Sequence, residues 1–204
     1  MSNQLQQLNA DMAAVVEGVH QVLVQIHNGE RGIGAGTIWH SQGLILTNHH
    51  VIDGRYGASR QLTVTLPNGR DVAAKVIRSD PARDVAALMI EVDDLPTIEL
   101  GNSESLRPGT WVFALGHPWG IANAVTSGIV IGQGAPPEFQ MGHNEWIAVS
   151  LHMRPGNSGG PLVNGDGCLV GINTFITGPD VGYAIPVHTV KRFLRETLGS
   201  GVAA

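Results

Sequence analysis

The chain has 204 residues, 43% of them hydrophobic, which is enough for a packed core and too apolar for a disordered segment. Its net charge of −5 is scattered without a basic stripe, which argues against a nucleic-acid partner. A single cysteine, Cys168, precludes an intramolecular disulfide, and no apolar run approaches the ~20 residues of a membrane-spanning helix.

Residues 2–18 carry Leu5, Leu8, Met12, Val15, Val16 and Val19 at helical spacing and predict an amphipathic helix. Met1–Leu8 has neither a basic stretch nor a continuous apolar one, so a complete chain of this sequence is expected to be cytoplasmic. Residues 19–26 alternate as a strand, and 27–32 turn. Gly34–Trp39 and Leu44–Leu46 form a hairpin, and the strand from Gly43 is expected to run on into His49 and His50. A polar loop covers 53–60. Leu62–Leu66 and Val72–Ile77 flank the turn Pro67-Asn68-Gly69-Arg70 as a second hairpin. Val85–Val92 reads as a buried strand, and the turn-rich stretch 93–107 separates two halves.

Thr110–Leu115 and Ile121–Ile131 open the second half, and 132–144 is expected to be a flexible loop. Strands follow at 145–151, 162–163, 169–174 and 181–185. Cys168, in the apolar run Cys168-Leu169-Val170, reads as a small core residue. Pro186 suits the first turn of a helix whose apolar face is Val187, Val190, Phe193, Leu194 and Leu198, ending at Gly199. Ten or more short strands and 27 glycines make the fold class all-β, one sandwich or a pair of barrels.

Residues 154–161 read Arg-Pro-Gly-Asn-Ser-Gly-Gly-Pro. Glycines on both sides of Ser158 allow backbone to come close to another group. A turn of this kind can aim the N–H groups of Gly156 and Ser158 at one point, as an oxyanion requires. It is also an ordinary hairpin turn, since Asn, Ser and Gly are common turn residues. A serine nucleophile needs a base, and two histidines, His49 and His50, follow Leu44–Asn48. Asp84 precedes the apolar run Val85–Leu88, while Asp80, before Pro81, reads as a turn carboxylate.

The order His, Asp, Ser is that of the chymotrypsin-type triad. With Leu-Thr-Asn-His-His-Val-Ile (46–52), Asp-Val-Ala-Ala-Leu (84–88), Ala-Leu-Gly-His-Pro-Trp-Gly (114–120), Val-Thr-Ser-Gly-Ile-Val (125–130), Pro-Gly-Asn-Ser-Gly-Gly-Pro-Leu-Val (155–163), Gly-Ile-Asn-Thr (171–174) and Gly-Tyr-Ala-Ile-Pro (182–186), the chain resembles the trypsin-like serine proteases, specifically the bacterial HtrA/Deg protease domain, over roughly residues 20–190.

The resemblance implies two six-stranded antiparallel barrels with the site between them. The first would cover about 19–105 and the second about 106–185, with a C-terminal helix at 186–198, all in one protease domain. It implies a serine endopeptidase with His50 as base, Asp84 as its orienter and Ser158 as nucleophile. Gly156, Asn157 and Ser158 would form the oxyanion hole, and no metal or cofactor would be needed. A catalytically silent peptide-binding module is the alternative. A polypeptide substrate is expected to lie along Asn173, Thr174 and Phe175 as an added strand. His152, Met153, Ile176 and Val181 would line the specificity pocket and favour small or medium aliphatic residues, with no carboxylate among them.

Asn157 stands where cleavage-activated relatives carry Asp, so that mode of activation is not expected; ordering of loops 116–121, 132–144 and 176–181 would regulate instead. The spacing of His117, His143 and His152 matches no zinc motif, and they read as surface or pocket residues. The family's PDZ domain is not expected after the last helix. The first aromatic residue is Trp39, so the trimer contact made by N-terminal aromatics in relatives is not expected, and a monomer is favoured.

Overall fold

The structure is a computed structural model that describes residues 2–29, 33–53, 62–134, 145–178 and 180–199. Helix α1 (Ser2–His20) leads into strands β1 (Leu23–Asn28), β2 (Ile33–His40) and β3 (Leu44–Thr47). A one-turn helix α2 (His49–Ile52) precedes β4 (Leu62–Thr65), β5 (Asp71–Asp80) and β6 (Val85–Ile90). The second half holds β7 (Trp111–Gly116), β8 (Ala124–Gln133), β9 (Ile147–Ser150), β10 (Pro161–Asn164), β11 (Leu169–Thr177), β12 (Val181–Pro186) and helix α3 (Val187–Leu198).

Each half closes into an antiparallel six-stranded barrel, with strand orders β1-β2-β3-β6-β5-β4 and β10-β11-β12-β9-β8-β7. Closure leaves no open sheet edge. The alternation of the strands sends one side chain in two inward. Val24, Ile26, Ile38, Ile45 and Leu88 fill the first barrel, and Val112, Val130, Ile147, Val149 and Leu162 the second. One apolar cluster joins the first barrel to Phe113, Leu115, Ile172, Ile185 and Phe193 of the second half.

Three sequence expectations shift. The first helix continues to His20 because Val19 still packs into the core, so the strand begins at Leu23 and not at 19. Its stripe is split: Met12, Val16 and Val19 fold back onto the barrels, while Leu5 and Leu8 stay exposed. The strand carrying the paired histidines ends at Thr47, and the histidines lie on α2. Cys168 is half-buried, not core; it lies in the turn between β10 and β11, with Sγ facing Glu99. All of the expected loop 53–60 after Asp53, most of 132–144 with His143, and Pro179 lie outside the described residues.

Candidate active site

Two elements of the first barrel and one of the second bring the site together. On α2, His50 Nδ1 lies 2.8 Å from Asp84 Oδ2, and the His50 backbone N–H donates to Asp84 Oδ1 at 3.0 Å. Asp84 sits at the end of the turn after β5, with φ of +54°, a left-handed conformation that Asp tolerates better than most residues. Its carbonyl accepts from His49 N and Asn48 Nδ2, which locks the turn to α2. The carboxylate also accepts from the Thr174 hydroxyl at 2.5 Å. Burial pushes the Asp84 carboxyl up, but the hydrogen bonds and charge of His50, and then the Thr174 hydroxyl, outweigh it, and the pKa lies below the ordinary aspartate value.

Thr174 reaches Asp84 because β11 is irregular there. Asn173 pairs with Ala184 and Phe175 with Tyr183, leaving Thr174 as the extra residue of a bulge. A bulge re-aims its side chain. The Thr174 carbonyl accepts from the Ser158 hydroxyl at 2.8 Å, so a single residue touches both Asp84 and Ser158. In this state the hydroxyl of Ser158 points at Thr174, not at the imidazole. Its backbone is pinned to the first barrel, since Ala35 N–H donates to the Ser158 carbonyl at 2.8 Å. Gly159 follows at φ +85°, and a side chain there would collide with the Ala35 carbonyl and the Thr47 hydroxyl. That contact explains the first glycine after Ser158.

The turn before Ser158 is held from both ends. Asn157 N–H donates to the Arg154 carbonyl, and Asn157 Oδ1 accepts from Arg154 N–H, each at 2.9 Å. Asn157 is buried, and its N–H is committed, which corrects its expected part in an oxyanion hole. Gly156 lies at φ +105°, and its carbonyl accepts from His117 N–H. Among the described residues, neither Gly156 N–H nor Ser158 N–H donates to a protein acceptor. Both remain available to a ligand.

The expected substrate strand also divides. Asn173 is buried; its amide donates to the carbonyls of Leu115 and Pro161, and its backbone bonds to Gly159 and Gly160. It is therefore a structural tie and is corrected as a substrate contact. Phe175 stacks on Tyr183 and meets Trp146 edge-on, with centroids about 5 Å apart in both cases. Phe175 and Thr174, with His50 and Asp53, line a cleft of about 410 Å³. Met153 is buried against Gly182, whose strand partner is the exposed Ile176, and Val181 is half-buried beside them. The structure adds one carboxylate that sequence spacing missed. Asp180 lies 2.7 Å from His152 Nδ1, both exposed, so an acid does stand beside the residues expected to line the pocket.

His117 is another correction, because it is buried rather than a surface or pocket residue. Its Nδ1 faces Gln25 Nε2 of β1 and accepts from Asn123 N–H, each at 3.2 Å. Burial lowers its pKa to about 4, partly offset by the Val24 backbone and reinforced by His20 and His27. A Ser-His-Glu cluster of Ser103, His188 and Glu145 joins α3 to the second barrel, but Ser103 is fully buried and so cannot meet a substrate.

Two closed six-stranded barrels, with a His-carboxylate pair of the first linked through Thr174 to a glycine-framed serine of the second, define the fold and the candidate site. Residues 34–172 match the family of trypsin-like peptidase domains, and the chain belongs to that family. Its relatives are of the HtrA/DegP type. A protein of Marinomonas sp. named "Probable periplasmic serine endoprotease DegP-like" is 43% identical over 181 residues, covering 85% of this chain and 37% of the relative. One of the same name from Halomonas elongata is 40% identical over 171 residues, covering 80% and 35%. The solved structure of "HtrA-type protease AlgW with tripeptide" superposes with a TM-score of 0.83 at 31% identity, covering 93% of this chain and 64% of that one. The chain thus spans well under half the length of these curated relatives. Their names also correct the cytoplasmic expectation, which rested on the first residues alone: both relatives are named as periplasmic.

Proposed function

We propose that the chain is a serine endopeptidase acting in the periplasm on extended or unfolded polypeptides through an acyl-enzyme. The observation that carries this reading is the Asp84–His50 pair joined through Thr174 to Ser158. Asp84 holds Nδ1–H of the imidazole, leaving Nε2 free to accept a proton. The reaction requires a rotation about the Ser158 Cα–Cβ bond that takes the hydroxyl from the Thr174 carbonyl to Nε2. Oγ then bonds to the substrate carbonyl carbon as its proton passes to His50. The carbonyl π electrons move to oxygen, which the N–H groups of Gly156 and Ser158 receive. Collapse expels the amine, which takes the proton from His50, and water repeats the sequence to release the acid.

The substrate would run along Thr174–Ile176, with its side chain over Met153, Ile176 and Val181. An aliphatic residue fits that lining. Asp180, 2.7 Å from His152 Nδ1, places a carboxylate beside it, so no preference for acidic residues is expected.

Digestion of casein with product sequencing tests the reading. Wild type should cleave after Val, Ala, Ile or Leu, and Ser158→Ala should lose a factor on the order of 10⁴–10⁶ in rate with its fold intact. A Ser158→Ala variant that cleaves like wild type would refute it.

A further inference from the structure

The turn that delivers Asp84 is gripped by a residue from the far end of the chain. Arg83, immediately before Asp84, places Nη1 2.6 Å from Glu196 Oε2 and Nη2 3.2 Å from Glu196 Oε1. The same Nη1 lies 3.2 Å from Asp80 Oδ2. Asp80 uses its other oxygen to accept from Ala82 N–H and Arg83 N–H, closing the turn from inside. Glu196 belongs to α3, which touches β6, β11, β12 and the Ser103–Ser105 turn, and so lies across both barrels. We propose that Arg83 is a positioning residue: through Glu196, the C-terminal helix fixes the turn Asp80–Asp84 and with it the carboxylate that orients His50.

Three features set this apart from an ordinary surface ion pair, which contributes little. The guanidinium side chain is only 15% exposed. Its fork meets Glu196 with two nitrogens, a geometry that fixes orientation as well as charge. Arg83 itself is adjacent in sequence to Asp84, which sits at the end of the turn in a left-handed conformation with φ of +54°. Lys75 and Glu91 form the contrasting pair. They are 2.9 Å apart on β5 and beyond β6 of the same barrel, but 77% and 85% exposed, and bond to nothing in the Asp84 turn.

The proposal rests on the reading of His50, Asp84 and Ser158 as one catalytic unit. It is tested by fluorophosphonate inactivation, which follows attack by Ser158 directly. Saturation kinetics separate the maximal inactivation rate from the probe's KI. Arg83→Ala should slow the maximal rate roughly 10-fold, less than the ~10²-fold cost of a group misplaced by 1 Å, with KI within about 2-fold. Glu196→Gln should slow it in the same sense. The double variant should be no slower than Arg83→Ala, since Glu196 reaches the Asp84 turn through Arg83. Arg83→Lys should recover part of the rate. The Nδ1–H proton resonance of His50 should broaden in Arg83→Ala, and Lys75→Gln should match wild type throughout.

Unchanged rates with only a lowered Tm would overturn the proposal, as would additive losses in the double variant. If Arg83→Ala does not fold, Glu196→Gln, at a half-exposed position, decides the matter alone. Asp84→Asn separates the two levels. Wild-type inactivation by that variant refutes the catalytic unit, while a slow Asp84→Asn beside a fast Arg83→Ala refutes only the strut.

Discussion

Asp84 is partly buried, yet the imidazole and hydroxyl around it keep it ionised below the usual aspartate range. A depressed pKa in the folded state gives stability that is present above the unfolded value of ~3.9 and lost as pH falls through the folded value. Asp84→Asn should therefore be less stable than wild type at neutral pH. The gap should close as the pH is taken below ~3.9, as followed by urea titration at a series of pH values. At neutral pH the same variant should turn over about 10⁴-fold more slowly, because an amide can hold the wrong imidazole tautomer. A stability gap that persists unchanged into acid would detach the carboxylate's charge from its partners. The family resemblance points to His50 and Asp84, while the residues by themselves leave His49 and His50 as alternatives. From the sequence, Thr174 reads only as a backbone rail. Its hydroxyl reaches Asp84 through a bulge, and one extra residue in a strand leaves no mark on alternation.

At the scale of the element, the loop 117–123 seats the turn that carries Gly156. His117 N–H donates to the Gly156 carbonyl, Trp119 N–H to the Pro155 carbonyl, and the Arg154 guanidinium lies 5.9 Å from the centre of the exposed Trp119 ring. The His117 ring inserts toward β1 of the other barrel. With its pKa lowered from 6.5 to about 4, the unfolded chain binds a proton there more readily than the folded one. Stability from this group is complete above pH ~6.5 and falls as pH drops toward ~4, by on the order of 3 kcal/mol. His117→Gln should flatten that part of the stability–pH curve. A slope between pH 6.5 and 4 equal to that of wild type would mean His117 is not the group that titrates. Sequence does not separate this histidine from the exposed His152, since its burial comes from a barrel about 90 residues away. The α2 turn was hidden for a related reason: Leu44–Thr47 runs apolar straight into Asn48-His49-His50, and helical turns this short have no periodicity to read.

The whole molecule was legible where the pattern is repetitive. Two sets of six short strands, separated near residues 93–107, appear in the alternation of apolar residues, and each set closes as a barrel. What alternation does not carry is contact across the cleft. Ala35 holding Ser158, Thr174 holding Asp84, and Glu196 holding Arg83 each join segments distant in sequence. Asp180 meeting His152 is of the same kind, at shorter range, and it reversed the expectation of a pocket without an acid.

The central claim is that one serine, activated by one histidine, performs the chemistry. Mass spectrometry of the chain after fluorophosphonate treatment reads both parts together. One adduct per chain, mapped to Ser158, is predicted for wild type and for His49→Ala, whose imidazole lies beside Asp53 rather than Asp84. His50→Ala should show labelling slowed to the level of Ser158→Ala, as expected for members of one catalytic unit. An adduct at another residue, no adduct in wild type, or undiminished labelling of Ser158 in His50→Ala would contradict the account.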